Sequence, residues 1–334
     1  MCPVLSFPEK GIGLLKEMFM RDSIVIIGGG LMGSGIAAVS ALAGNPTIIV
    51  DVDRDKAKGG VTDALKCVRE LCSNGLASDR SARQAEGLLE PEADMGAALE
   101  KANMVIEAVS ENLELKQMVF KQMDELLPRE IPITSNTSGL RISDIARYTK
   151  YPERTVSTHF WFPGHLIPLV EVVVGEHTDI QVAKQVKERL ETWGKSPVLV
   201  KKDLPGQLAN RIYQAIIREA IQIVSMGLAD AEDVDTAIKV GMGLRFPIMG
   251  PLEHMDTIGL ELTASVQDTV LPGISAARSA SPYLAGLIES GRRGYKDGQG
   301  FYDWSGKDME EITEKRNRYL MKAIQLLKTS NETL

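Results

Sequence analysis

Reactive sulfur and imidazole are scarce in this chain of 334 residues. Its three cysteines, Cys2, Cys67 and Cys72, form no CxxC pair and no even-numbered set. A disulfide framework is therefore not expected, and thiols in that number suit a reducing compartment, the cytoplasm. Four histidines are present, His159, His165, His177 and His254, with no metal-ligand spacing around them. No metal site is expected, and any acid–base imidazole must be one of these four. Apolar runs fall short of the roughly 18 residues that span a bilayer, so no membrane association is expected. Residues 1–20 lack the charged, apolar and small-residue order of a signal peptide. Positive charge is not in excess: 38 Lys and Arg stand against 45 Asp and Glu, a formal net charge of -7. With no basic cluster, a nucleic-acid partner is excluded on electrostatic grounds.

What the chain does have is core material. Apolar residues make up 44% and charged residues 25%, proportions that bury a core rather than leave disorder. At roughly 150 residues per domain, the length suggests two domains. A β-branched run at 23–27 (SIVII) leads straight into Gly28, Gly29, Gly30, Gly33 and Gly35. A helical stretch at 36–42 and a second β-branched run at 47–50 follow, ending at Asp51. The alternation continues with a charged helical region over about 54–88, broken near Ser73-Asn74-Gly75, a strand at 103–107 and a helix at about 113–127. Strands follow at about 131–135, 155–160, 169–174 and 197–200, with a helix at about 180–193 before the last. This order predicts an α/β domain with a mostly parallel sheet and helices on both faces. Beyond Asp203 the pattern is helical throughout, with segments at about 207–226, 231–239, 250–257, 260–271 and 308–328. Asp230 and Asp233 are expected to cap the second of these. The expected domains are an extension at 1–20, the α/β domain at 21–203 and an all-α C-terminal domain at 204–334, the last for substrate and dimerisation.

Gly28-x-Gly30-x-x-Gly33 lies between a strand and a helix, and Asp51 follows 23 residues after Gly28. Together they make the dinucleotide fingerprint of a Rossmann-like domain. Gly28 permits the tight turn, Gly30 lets the backbone approach a pyrophosphate, and Gly33 lets helix and strand pack closely. The helix N-terminus offers N–H groups and a positive dipole end to the phosphates. A carboxylate at Asp51 accepts from the adenosine ribose hydroxyls and repels a 2′-phosphate, which selects NAD over NADP. Asp53 reads better as the N-cap of the following helix.

Further motifs follow in order. They are Ile106-Glu107-Ala108, Glu111-Asn112-Leu113 with Lys116, Ser135-Asn136-Thr137-Ser138 and Thr158-His159-Phe160. Pro168-Leu169-Val170-Glu171, Ala209-Asn210-Arg211, Met249-Gly250-Pro251 and Gly298-Gln299-Gly300-Phe301-Tyr302 continue the series. In this order and spacing the chain, from about Asp22 to Trp304, resembles the 3-hydroxyacyl-CoA dehydrogenase family. The resemblance implies a catalytic group of Ser138, His159, Glu171 and Asn210, with Ser138 and Asn210 near the substrate oxygen. It implies a cofactor site in which Leu31, Met32, Ala108, Val109, Glu111, Lys116 and Asn136 join Gly28, Gly30, Gly33 and Asp51. It also implies a homodimer, which the apolar helical faces beyond Asp203 suit.

The residues make chemical sense beside the name. Oxidising a secondary alcohol with NAD needs a base for the hydroxyl proton as hydride leaves. His159 lies near the end of one predicted strand and Glu171 in the next. Folding the chain about position 165, their midpoint, sets them opposite each other, where a carboxylate orients an imidazole. The plain alternatives are a satisfied core histidine for His159, a capping serine before Ile142 for Ser138 and a helix-face amide for Asn210. For Glu111 and Lys116 the alternative is a solvated charge pair. His165 would line the pocket, and His254 would sit in the core or an interface.

Some residues depart from the acyl-CoA pattern. The residue before Pro163, usually asparagine there, is Phe162. The segment 241–251 (GMGLRFPIMGP) resembles relatives that act on free acids, the L-gulonate 3-dehydrogenase/λ-crystallin and carnitine dehydrogenase branch. Arg245 would then grip a substrate carboxylate, with a surface salt bridge as the alternative. The region after Asp51 is not strongly basic and gives CoA no support, whereas 292–298 (RRGYKDG) resembles the acyl-CoA branch. The first 20 residues exceed the family's usual start, and the segment reads as an upstream start or a short arm, with Met20 a natural beginning. The expectation is an NAD-dependent dehydrogenase that oxidises the 3-hydroxyl of a 3-hydroxyacyl-CoA or related 3-hydroxy acid to the 3-keto compound. A free-acid dehydrogenase without CoA, or an NAD-binding, non-catalytic crystallin-like protein, stands as the alternative.

Overall fold

The computed structural model describes residues 22–331, and the 1–20 extension lies outside them. Two compact units meet in sequence between Leu208 and Ala209. The first holds eight strands in one sheet: β1 (Ser23–Ile27), β2 (Thr47–Val50), β3 (Leu89–Glu92), β4 (Ala102–Glu107), β5 (Ile133–Ser135), β6 (Thr155–Phe160), β7 (Leu169–Val173) and β8 (Ser196–Val200). Their order is β3-β2-β1-β4-β5-β6-β7-β8. Every neighbouring pair is parallel except β6 and β7. The helices of this unit are α1 (Leu31–Leu42), α2 (Arg54–Ser73), α3 (Asp79–Glu86), α4 (Met95–Leu99), α5 (Leu113–Leu126), α6 (Ile142–Ile145) and α7 (Ile180–Thr192).

Burial on both faces explains the unbroken β-branched runs. Val25, Ile27, Ile48, Val50, Val105 and Ile133 share one apolar cluster with Leu99, Phe120 and Met123 of α4 and α5. The alternating residues face the other way, and there α1 packs close enough that Ile26 Cγ2 lies 3.3 Å from the place of a Cβ on Gly33. The elements β3 and α4 were not expected from the sequence. The strand β3 reads Leu-Glu-Pro-Glu, with no alternation, and proline is tolerated in a sheet only at such an edge. Asp53 caps α2 as expected, Oδ1 accepting from Lys56 N at 2.8 Å.

Beyond Leu208 the chain is helical: α8 (Ala209–Ser225), α9 (Ala231–Ala237), α10 (Gly243–Arg245), α11 (Pro251–Ile258), α12 (Leu260–Val270), α13 (Pro282–Glu289) and α14 (Met309–Asn331). A π-helical turn at Ile238–Met242 links α9 to α10. The first helix starts two residues later than its periodicity suggests, because Gly206 and Gln207 take positive φ. Asp230 does hold the N-cap position of α9, but its side chain accepts no capping bond. Its carbonyl accepts from Asp233 N and Val234 N instead, and Asp233 contributes through its charge in the first turn.

One buried cation holds the connection between β6 and β7. Lys195 Nζ donates to the carbonyls of Gly164 (2.7 Å) and Ile167 (2.9 Å). Burial lowers its ammonium to about 7. The unfolded chain keeps that proton to about 10.4, so from about pH 7 upward it binds more protons than the folded chain, and stability rises with pH. Cys67 acts oppositely: burial pushes its thiol up to about 12, so its contribution falls above the ordinary thiol range near pH 8.5. The urea midpoint should therefore rise between pH 6.5 and 8.5, with a smaller rise in Lys195→Met. Equal slopes in the two proteins would disprove the role given to Lys195.

Candidate active site

The glycine loop leaves β1 at Gly28, whose φ is +105°. A Cβ there would lie 2.8 Å from Ala108 O, and one on Gly33 only 1.8 Å from Gly28 O. The turn and the first turn of α1 thus have no room for larger residues, whereas Gly30 has nothing within 4 Å of its Cβ position. Asp51, at the end of β2, is held against this loop: Oδ2 accepts from Gly29 N and Oδ1 from Val52 N, both at 2.8 Å. Leu31 is exposed at the start of α1, and Met32 Cε lies 3.4 Å from a Cβ position on Gly164. Ala108 N donates to Ile27 O, which extends the β1–β4 ladder to the loop. A tight cradle, an open helix N-terminus and a fixed carboxylate suit a dinucleotide without a 2′-phosphate. Gly60 of α2 was passed over in the sequence, yet a Cβ on it would lie 2.9 Å from Gly29 Cα. Its signal was a glycine inside a helix, where it costs stability without a packing reason.

A second group sits at the ends of β4 and β5. Glu107 is fully buried. Its Oε1 accepts from Lys116 Nζ and Val109 N, each at 2.7 Å, and its Oε2 from Ser135 Oγ at 2.6 Å. Burial raises its carboxyl above the usual range, with Lys116 and the other donors working the opposite way. Lys116 also donates to Val109 O (3.2 Å) and lies 3.4 Å from Glu111 Oε2. The solvated-pair alternative for Lys116 is thereby corrected: its side chain is 1% exposed, its ammonium enclosed between Glu107 and Val109 O. Glu111 Oε1 accepts from Thr137 Oγ1 (2.6 Å), Gly139 N (2.9 Å) and Ser138 N (3.1 Å). Burial pushes the Glu111 carboxyl up, but Thr137, Gly139, Lys116 and Ser138 together hold it below its usual value. Ser138 does not cap α6, whose N-cap is Arg141; its Oγ lies 3.5 Å from Glu111 Oε1.

The third group comes from the antiparallel pair. The register sets His159 opposite Glu171, as folding about position 165 predicts. His159 Nδ1 and Glu171 Oε2 are 2.7 Å apart, and both side chains are buried. Trp161 Nε1 donates to the same Oε2 at 3.0 Å, and Leu208 N donates to Oε1 at 2.8 Å. Three nitrogens thus converge on one acceptor-only carboxylate. With Nδ1 donating to Glu171, Nε2 is left as the basic face of the imidazole. Trp161 went unnoticed in the sequence, although it lies two residues after His159 and so on the same face of the extended chain.

The remaining candidates are placed as follows. Asn136 Oδ1 accepts from Phe160 N (2.8 Å), joining the end of β5 to the end of β6. Phe162 is half exposed just past β6. His165 Nε2 pairs with Glu70 Oε2 of α2 at 2.9 Å. Asn210 lies in the first turn of α8, and Arg245 ends α10, exposed, with Nη1 3.1 Å from His254 Nε2. Gly33→Ala tests the cradle: the clash with Gly28 O should cost roughly 1–3 kcal/mol of stability and weaken NAD binding at least tenfold in a titration. Unchanged NAD affinity would refute the reading of the loop.

Comparison with known proteins agrees with this geometry. Residues 23–204 match the NAD binding domain of 3-hydroxyacyl-CoA dehydrogenase, and residues 206–304 match the C-terminal domain. The chain is 31% identical to a 5-formyl-3-hydroxy-2-methylpyridine 4-carboxylate 5-dehydrogenase of Mesorhizobium japonicum, over 92% of this chain and 99% of that one. It is 33% identical to the mitochondrial hydroxyacyl-coenzyme A dehydrogenase of Sus scrofa, over 90% and 96%. Among solved structures, a 5-formyl-3-hydroxy-2-methylpyridine 4-carboxylic acid 5-dehydrogenase, described as an NAD+ dependent dismutase, superposes with a TM-score of 0.85 at 31% identity. It covers 92% of this chain and 99% of its own. The glycine cradle, Asp51 and both matched domains lead to one conclusion: the chain belongs to the 3-hydroxyacyl-CoA dehydrogenase family of NAD-dependent oxidoreductases that act on CH–OH groups.

Proposed function

We propose that this protein oxidises the hydroxyl-bearing carbon of a small 3-hydroxy acid, taken as the free carboxylate rather than the CoA thioester, with His159 as the base. The observation that carries the base assignment is the 2.7 Å link from His159 Nδ1 to the buried Glu171 carboxylate. When bound, NAD supplies the hydride acceptor at C4 of its nicotinamide. His159 Nε2 takes the hydroxyl proton as the C–H bond gives up its hydride and the C=O bond forms. Glu171 keeps the ring in the Nδ1–H tautomer and stabilises the imidazolium. Ser138 and Asn210 are proposed to hold the substrate oxygen, and Glu111 and Lys116 to border the nicotinamide half of the cofactor. The reverse reduction uses the same groups.

Three features support a free acid. The exposed ring of Phe162 stands where acyl-CoA members carry an amide. The hairpin of α2 and α3 is not strongly basic, which gives a CoA tail little support: Lys66 is already paired with Asp63 at 2.7 Å. The Mesorhizobium relative is named for a pyridine carboxylate. Arg245 is proposed to receive the carboxylate through its planar fork. A homodimer is also proposed, with the second unit as its interface, because Leu228, Leu252, Val240, Leu244 and Ile248 are all more than 60% exposed. Sedimentation should give twice the 36.5 kDa of one chain. The cytoplasm is the proposed location.

His159→Ala should lower kcat by roughly 10²–10⁴ and leave NAD affinity as it is; undiminished NADH formation would overturn the base assignment. In an NADH-formation screen, a free acid among 3-hydroxybutyrate, L-gulonate and carnitine should exceed 3-hydroxybutyryl-CoA in kcat/KM. Arg245→Ala should raise KM for that acid at least tenfold. Activity on the thioester alone removes both the free-acid reading and the role of Arg245.

A further inference from the structure

We infer that Gln207 is a positioning residue for the His159–Glu171 pair: its side chain, anchored on Thr137 and Ser157, holds the backbone turn that presents Leu208 N–H to Glu171. The inference rests on the catalytic reading of His159 given above.

Gln207 has a φ of +48° and is the one non-glycine residue with positive φ among the described residues. It follows Gly206, at +78°. A residue with a Cβ is disfavoured in this left-handed region, so its surroundings must hold it there. They do so through its amide. Gln207 is 4% exposed, and its Nε2 donates to Thr137 O at 3.1 Å and Ser157 Oγ at 3.2 Å. Thr137 directly precedes Ser138 and gives its hydroxyl to Glu111. Ser157 lies two residues before His159, on the same face of β6. The next amide in the chain, Leu208 N–H, reaches Glu171 Oε1 at 2.8 Å. That is the carboxylate oxygen opposite the one shared by His159 and Trp161. One side chain thus ties the ends of β5 and β6 to the carboxylate that orients the base.

Packing alone does not call for an amide here. Gln207 Oε1 is buried with no hydrogen-bond partner among the described residues. A methionine would fill similar space without that orphaned oxygen, and what glutamine adds is the pair of bonds donated by Nε2. Without them, φ relaxes toward negative values, the 207–208 peptide rotates, and Glu171 loses the Leu208 N–H donor. A carboxylate with fewer donors interacts more strongly with the imidazolium, so His159 holds its proton to higher pH.

The test uses the full chain with NAD bound, read by NMR of the imidazoles. Only four histidines are present, and the signal lost in His159→Gln assigns His159. In Gln207→Met the titration midpoint of His159 should lie at least about 0.5 unit above that of the unmodified protein. An unmoved His159 midpoint overturns the inference. Should the methionine variant fail to fold, Gln207→Ala and Gln207→Gly decide. Alanine, unanchored and disfavoured at positive φ, should shift the midpoint further than glycine; equal midpoints overturn the inference. Failure of the catalytic reading shows separately, as NADH formation by His159→Ala.

Discussion

The antiparallel pairing of β6 with β7 is the one reversal in an otherwise parallel sheet, and the proposed base depends on it. Parallel neighbours bring their C-terminal ends to the same edge, but only after a long crossover. Here a short connection, residues 161–168, returns the chain directly. Glu171, near the start of β7, therefore meets His159, near the end of β6, as a cross-strand pair. Side chains so placed lie within reach of each other without any adjustment of loops. The connection is held from outside the pair: Lys195 binds two of its carbonyls, and His165 is paired with Glu70.

Glu107, Glu111 and Glu171 lie near strand ends or starts in this unit, and each is held by a different set of donors; Glu107 and Glu171 are fully buried, whereas the Glu111 side chain is 40% exposed. Glu107 relies on a buried lysine, a serine hydroxyl and a backbone amide. Glu111 relies mainly on a threonine hydroxyl and two backbone amides, with Lys116 farther off. Glu171 takes an imidazole, an indole and a backbone amide. Burying an ion pair is costly unless its remaining valences are filled. Complete filling is what fixes Lys116, Glu107 and the loop that bears Ser138 in one arrangement. Lys116 thus acts as the centre of a buried frame, not as a surface charge.

The sequence reveals features whose signal is local. The glycine fingerprint, Asp51 and the opposition of His159 to Glu171 rest on spacing along one short stretch, and the structure places them together. What it hides are partners remote in the chain. Nothing near Lys116 in a helical pattern reveals that a carboxylate nine residues upstream is fully buried beneath it. Gly60 answers to Gly29 across a helix interface, and Gln207 answers to Ser157 fifty residues earlier. The strand β3 escaped notice for another reason. An edge strand with proline and two glutamates carries neither alternation nor a β-branched run, so only its pairing with β2 defines it.

Close approach of backbones joins the cofactor loop to the proposed base. The first turn of α1 is pressed on Gly28 at Gly33, and α2 is pressed on Gly29 at Gly60. Farther along α1, a Cβ on Gly35 would lie 3.2 Å from His165 N, within the connection that carries Phe162. One helix therefore packs against both the glycine loop and the segment that follows His159. Packed backbone has little freedom to shift locally, so α1 limits the movement of the glycine loop relative to the segment that follows His159. Hydride transfer with proton abstraction needs both partners in register at once. A single rigid element that touches both sites meets that need without a closing motion within this unit.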